Sequence, residues 1–223
     1  MKLSLACSCL GLALVLAAPP AAQNRPAAAQ EAQAAGLAPA GNELLKRMTA
    51  LNANLHTYKA SVHLDVALKT FPYLSPSIDG AVYYEAPDKE AVVFDTVPAL
   101  ASQFKKVYPK VDPPADWLAL YDVAVLGDQS GTTAFRLVPK KNGRVEHLDV
   151  RVDDTTATIK SYTWTYKDGG YVTFDQTYET VAGNYLVDKQ TGHVELPSYK
   201  ADVTSAFSNY RLNVAIEDSI FDQ

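Results

Sequence analysis

The chain has 223 residues, room for one domain with a substantial core and too few for two with linkers. With 25 acidic against 20 basic residues its formal charge is −5. No basic cluster exceeds the pairs Lys105/Lys106 and Lys140/Lys141, which argues against a nucleic-acid partner. The excess lies in aromatic side chains, with thirteen tyrosines, seven phenylalanines and two tryptophans.

Residues 1–22 open with Met1 and Lys2, run through the apolar "LSLACSCLGLALVLAA" and reach small residues at "PPAA". That is the layout of a cleaved signal peptide rather than a spanning helix, so an exported protein is expected, with the periplasm as its default location. Cys7 and Cys9 both fall inside the removed segment. Cys7 follows "SLA" near the start of the apolar core, the wrong place for a lipid anchor. The mature chain then has no disulfide and no thiol nucleophile, and is held by packing alone. Residues 23–41, "QNRPAAAQEAQAAGLAPAG", are low-complexity Ala, Gln and Pro without an apolar stripe and read as a flexible leader.

The folded domain is expected over 42–223. Asn42 is a fitting N-cap for "ELLKRMTALNANLHTY", in which Leu44, Leu45, Met48, Leu51 and Leu55 form one apolar helical face. The period then switches. In "YKASVHLDVALKTF", Tyr58, Ala60, Val62, Leu64, Val66 and Leu68 alternate with a largely polar set, the two-residue repeat of a long strand with one wet face. "GAVYYEAPDKEAVVF" predicts two strands, near Ile78–Glu85 and Ala91–Asp95, joined by a turn at "APDKE". The next block has helical spacing at Leu100, Phe104 and Val107, is cut by Pro109, Pro113 and Pro114, and resumes at Trp117, Leu118 and Tyr121, predicting two short helical pieces. "KNGR" supplies an Asn-Gly turn between Phe135–Pro139 and Val145–Val152. Beyond it lies a ladder of short strands with turns predicted at "KDGG", "VAGN" and "KQTG". In that ladder Tyr162, Trp164 and Tyr166 share one face, and so do Tyr210, Leu212, Val214 and Ile216. The expected fold class is α+β: a strongly curved antiparallel β-sheet, a half-barrel of about ten strands, with a covering N-terminal helix and a short helical insert.

The order of an apolar helix, a long meander, a helical insert and a run of hairpins ending in "xxF" resembles the LolA/LolB-like family of periplasmic lipoprotein carriers. The resemblance covers roughly Asn42 to Phe221. In those carriers a Gly-led strand ends in an Arg-Pro pair, and Gly80 and Pro87 keep that frame here; Phe207 to Phe221 looks like the family's closing strand and final buried phenylalanine. The arginine itself is replaced by Ala86, and no arginine occurs between Arg47 and Arg136, so the family's own mechanism for lipoproteins lacks its cavity arginine. The resemblance implies a carrier or chaperone for the acyl chains of a lipoprotein or lipid, a monomer served by membrane-bound donor and acceptor proteins, with no cofactor. The alternative it leaves open is a lipid-sensing regulatory or protein-contact module of the envelope with the same fold.

Each methylene buried from water contributes about 0.8 kcal/mol, enough in sum to hold an acyl chain out of water. The expected ligand-binding cavity and its cover comprise Val62, Leu64, Val66, Val82, Tyr84, Phe94, Phe104, Tyr108, Trp117, Leu120, Phe135, Tyr162 and Trp164. Trp117→Asp is expected to weaken binding without unfolding the domain. Such aromatic stripes also suit an ordinary core, and only the resemblance raises the cavity above that reading.

No enzyme is expected. His56, His63, His147 and His193 are dispersed, without HxH or HExxH spacing. His63 and Asp65 suit a solvated strand face. "GDQSG" lacks GxSxG and reads as a hairpin loop, and Asp153 and Asp154 sit where carboxylates cap turn amides.

Overall fold

The computed structural model describes residues 37–71, 73–95 and 111–222. The opening helix, α1, spans Pro39–Thr49. It starts earlier than the Asn42 cap predicts, because Pro39 has its φ pre-set for the first helical turn and takes that place. Asn42 lies one turn in, where its Nδ2 donates to the Leu37 carbonyl at 2.8 Å. The helix stops at Thr49. Leu44, Leu45 and Met48 are its buried stripe, while Leu51 follows in a turn and Leu55 just after it, where it is buried.

Ten strands follow: β1 Thr57–Leu68, β2 Ser77–Glu85, β3 Lys89–Phe94, β4 Tyr121–Gln129, β5 Thr132–Pro139, β6 Val145–Asp153, β7 Ile159–Tyr166, β8 Tyr171–Val181, β9 Asn184–Leu196 and β10 Tyr199–Leu212. They form one antiparallel sheet in the order β3-β2-β1-β10-β9-β8-β7-β6-β5-β4, which is not closed. Consecutive strands are neighbours except β3 and β4, which form the two edges of the sheet, and the two meanders join at a seam where β1 pairs with β10, Val66 opposite Val203. A 3-10 turn at Pro114–Asp116 leads into the four-residue helix α2, Trp117–Leu120.

The alternation read from β1 is the observed one: Ala60, Val62, Leu64, Val66 and Leu68 are buried between exposed neighbours. Pairing carries that parity across the sheet. Leu137, Leu148, Trp164, Val172, Val194 and Ala201 lie in one buried row, and Phe135, Val150, Tyr162, Phe174, Gly192 and Val203 in the next. Leu44, Leu45 and Met48 of α1 and Trp117 of α2 join these rows in one hydrophobic cluster, so one face of the sheet is packed and the other is open.

Three glycines mark close approaches. A Cβ on Gly41 would lie 2.5 Å from a Val125 methyl, where α1 meets β4. On Gly80 it would lie 2.5 Å from the Val93 carbonyl oxygen of β3. On Gly192 it would lie 2.3 Å from the Phe174 ring. The Gly192 contact corrects the turn expected at "KQTG": Gly192 sits mid-strand to admit a cross-strand ring, and the chain reverses at Pro197 and Ser198 instead.

Two other expectations are corrected. Tyr121 does not continue the helical spacing of Trp117 but opens β4, with Tyr121 and Val123 buried on strand parity. β10 ends at Leu212 because Asn213 adopts φ 51°, so Val214 and Ile216 lie beyond it, and Phe221 follows a 3-10 turn, half-buried. The turns at "APDKE", "KDGG" and "VAGN" and the hairpin loop at "GDQSG" are present, and Asp153 Oδ1 accepts the amides of Thr155 and Thr156, both at 2.9 Å.

Candidate functional site

The packed face divides in two. Toward α1 and α2 it is a dry core: Leu64, Val66, Trp117, Phe135 and Trp164 belong to the main cluster, with Phe94 and Tyr162 against it. Trp117 is fully buried, meets Phe135 edge-on at 5.9 Å and donates its Nε1 hydrogen to the Asp112 carbonyl at 2.8 Å. Trp117 is therefore core rather than movable cover. Aspartate there would bury a charge, so Trp117→Asp reports on stability and not on binding. Leu120 is exposed, and Phe104 and Tyr108 lie outside the described residues.

Toward the other end, on the rows set by β1, β2, β3 and β10, the packed face becomes aromatic and polar. Val62 and Val82 are buried but stand apart from the main cluster. Beyond them Tyr84 stacks on Tyr58 at 5.2 Å, and Tyr210 meets Tyr58 edge-on at 5.4 Å. Val92 pairs with Val82 and so shares this face, yet it is 45% exposed. Glu90 pairs with Tyr84 and brings a carboxylate to the same edge. Burial, and after it Glu90, pushes the Tyr58 and Tyr84 phenols up; burial also raises Tyr162, Tyr178 and Tyr210. All five are neutral hydroxyls at pH 7.

Where β8 and β9 cross this end, polar groups are paired among themselves. Gln190 donates to Gln176 Oε1 at 2.9 Å, Gln176 donates to the Ile159 carbonyl at 2.8 Å and to the Tyr178 hydroxyl, and Tyr178 donates to the same carbonyl at 2.9 Å. Tyr210 donates to the Val187 carbonyl at 2.6 Å. Among the described residues, the Trp164 indole N–H is buried without a partner. This end can therefore offer apolar contact, aromatic edges and hydroxyl or amide groups.

Of the thirteen residues expected at the site, the structure brings Val62, Val82, Tyr84 and the hydroxyl of Tyr162 to this end and puts most of the others into the core. Sequence reading missed Tyr58, Glu90, Val92, Gln176, Gln190, Tyr178 and Tyr210 as site residues. The signal was present for Gln176 and Gln190: polar side chains on the buried parity of otherwise apolar strands. At the position of the family arginine, Ala86 is half-buried and its N–H donates to the His56 carbonyl at 2.7 Å.

The open face is hydrophilic. It carries a cleft of about 530 Å³ whose lining includes Arg151, Lys160, Asp175 and Lys189. Its lining side chains are all polar or charged, whereas the tyrosine-rich end offers apolar and aromatic side chains and is the better site for an apolar ligand. Among the described residues, no group of three or more His, Asp or Glu side chains is placed to hold a metal ion, and no helix is long and apolar enough to cross a membrane.

No family model and no curated protein matches the chain. Solved structures do. A DUF1329 family protein from Desulfovibrio piger is similar at TM-score 0.63 and 15% identity, covering 82% of this chain and 95% of that one. A putative outer membrane lipoprotein-sorting protein domain from Vibrio parahaemolyticus follows at 0.62 and 14%, covering 81% and 95%. A LolA superfamily protein from Nitrosomonas europaea is similar at 0.57 and 12%, covering 81% and 96%. At these identities the likeness is one of fold, and the fold is LolA-like.

Proposed function

We propose that this LolA-like chain is an exported, monomeric carrier that shields the acyl chains of a lipid or lipoprotein against the tyrosine-rich end of its packed face. In this reading residues 1–22 are removed on export, 23–41 form a leader, and the sheet curls into a half-barrel in the periplasm. Membrane-bound donor and acceptor proteins load and empty it, and no catalytic step is involved. The fold and the name of one structural neighbour, a lipoprotein-sorting protein domain, support the class. The observation that carries the reading is the placing of Val92: it is in register with buried Val82, on the packed face, and still exposed. An apolar residue left open beside Tyr58 and Tyr84 is where a chain would first be covered. The neutral tyrosines, the Glu90 carboxylate and Ala86 at the position of the family arginine favour cargo without a buried anionic group.

The test is binding of a fluorescent fatty acid to the wild type and to Val92→Asp, with native mass spectrometry of the purified protein to detect a copurified lipid or acylated peptide. Val92→Asp is expected to weaken binding on the order of tenfold while the unfolding midpoint stays near wild type, since the side chain is already exposed. Equal affinity of the two proteins refutes the site. Absence of both copurified lipid and probe uptake refutes the carrier and leaves a protein-contact module.

A further inference from the structure

Several connections meet at one end of the sheet: the β1–β2 connection, the segment through α2, and the β5–β6, β7–β8 and β9–β10 turns. Backbone hydrogen bonds tie them together, Lys69 N–H to the Lys200 carbonyl at 2.8 Å, Lys140 N–H to Leu120 at 3.0 Å and Lys167 N–H to Arg144 at 3.0 Å. At this end the molecule leaves large apolar side chains uncovered. Phe71 is 87% and Tyr73 69% exposed, their rings 6.5 Å apart, Leu74 follows them exposed, and Leu118 and Leu120 are exposed on the α2 segment at the same end. The two rings touch each other instead of the body of the protein, so packing does not explain them.

Charge is also unevenly divided between the two ends. The described connections at this end carry Lys69, Lys140, Lys141, Arg144 and Lys167 against Asp95, Asp112, Asp116 and Asp168. Those at the opposite end, 50–56, 86–88, 130–131, 154–158, 182–183 and 213–222, carry Asp88, Asp154, Glu217, Asp218 and Asp222, with no lysine or arginine. Neutral acceptors hold two of the cations, Lys140 Nζ at the Leu118 carbonyl and Lys167 Nζ at Asn142 Oδ1, each at 2.6 Å, so those contacts leave their charge uncompensated.

We propose that this aromatic and basic end docks on an anionic membrane surface, with Phe71 and Tyr73 entering the interfacial layer and Lys140, Lys141 and Lys167 facing the headgroups. Exposed aromatic rings at the same end as long basic side chains match the chemistry of a bilayer interface, where rings lie at headgroup depth and lysines reach anionic lipid. The acidic opposite end orients the molecule in the same sense, since it is repelled from the same surface. The docking does not depend on the carrier reading.

Co-sedimentation of the mature chain, residues 23–223, with vesicles of phosphatidylcholine, with and without equimolar phosphatidylglycerol, tests it. The wild type should bind the anionic vesicles more tightly, and less so in added salt. The variant Phe71→Ser/Tyr73→Ser should bind at least about tenfold more weakly, and Lys140→Glu/Lys141→Glu should lose the preference for phosphatidylglycerol. Both pairs lie on exposed connections, and an unfolding midpoint near wild type for each shows that the fold is intact. A wild type that binds neither vesicle, or an aromatic variant that binds like wild type, overturns the proposal; the first result leaves Phe71 and Tyr73 for a protein partner.

Discussion

Two histidines on the open face sit in opposite surroundings. His63 has its Nδ1 2.7 Å from Asp79 and its Nε2 3.5 Å from Asp65, and the Asp79 hydrogen bond, with the charge of both carboxylates, raises its pKa against the opposing effect of desolvation. His147 is partly buried and close to Arg136; burial first, and that guanidinium second, lower its pKa despite Asp149 at 3.7 Å. The signs then differ. His63 contributes stability below its unfolded value of about 6.5, and loses it as pH rises through its folded value. His147 resists protonation in the fold and withdraws stability as pH falls through the same unfolded value. Histidine ring resonances followed by NMR should therefore titrate at a higher pH for His63 than for His147, and Asp79→Asn should bring His63 down. The reverse order would show that the Asp79 contact does not form in solution. His63 and Asp65 could be placed on one wet strand face from alternation alone. The cross-strand partner Asp79 could not, since pairing decides it. Trp117 was misjudged for a related reason: helical spacing says which residues share a stripe, not how deeply that stripe is buried.

Among the elements, α1 depends on a missing side chain. Gly41 lets the helix approach β4 until the Val125 methyl occupies the place of its Cβ. Gly41→Ala should cost about 1–3 kcal/mol as the helix is pushed outward. Val125→Ala vacates that space, so in a thermal-unfolding double-mutant cycle the two changes should couple favourably by at least about 0.5 kcal/mol. Additive losses would mean that α1 does not rest on β4. The strands with strict alternation, β1, β2 and β6, were legible in the sequence, because one dry and one wet face impose a period of two. β4 was not. Its "YDVAVLGD" follows Trp117 and Leu118 without a turn residue, and a helical phase runs into a strand phase with no local break.

Across the whole molecule, strand number and antiparallel sense could be read from turn spacing, but strand order could not. Nothing local marks β1 and β10 as partners, since their pairing joins residues such as Val66 and Val203 that lie far apart in the chain. A sheet whose central pairing joins strands so far apart in the chain should refold in milliseconds to seconds rather than microseconds, as stopped-flow fluorescence of the buried Trp117 and Trp164 can measure. A microsecond phase carrying the full signal change would mean that the core forms before the seam. The seam also bears on synthesis. β1 to β3 leave the ribosome first, yet the strand that completes them is made last, so the nascent chain has no finished sheet to fold into while it is being extruded. A protein threaded through a narrow pore as an extended strand benefits from that delay, because its most stable state becomes available only after the last strand has been delivered.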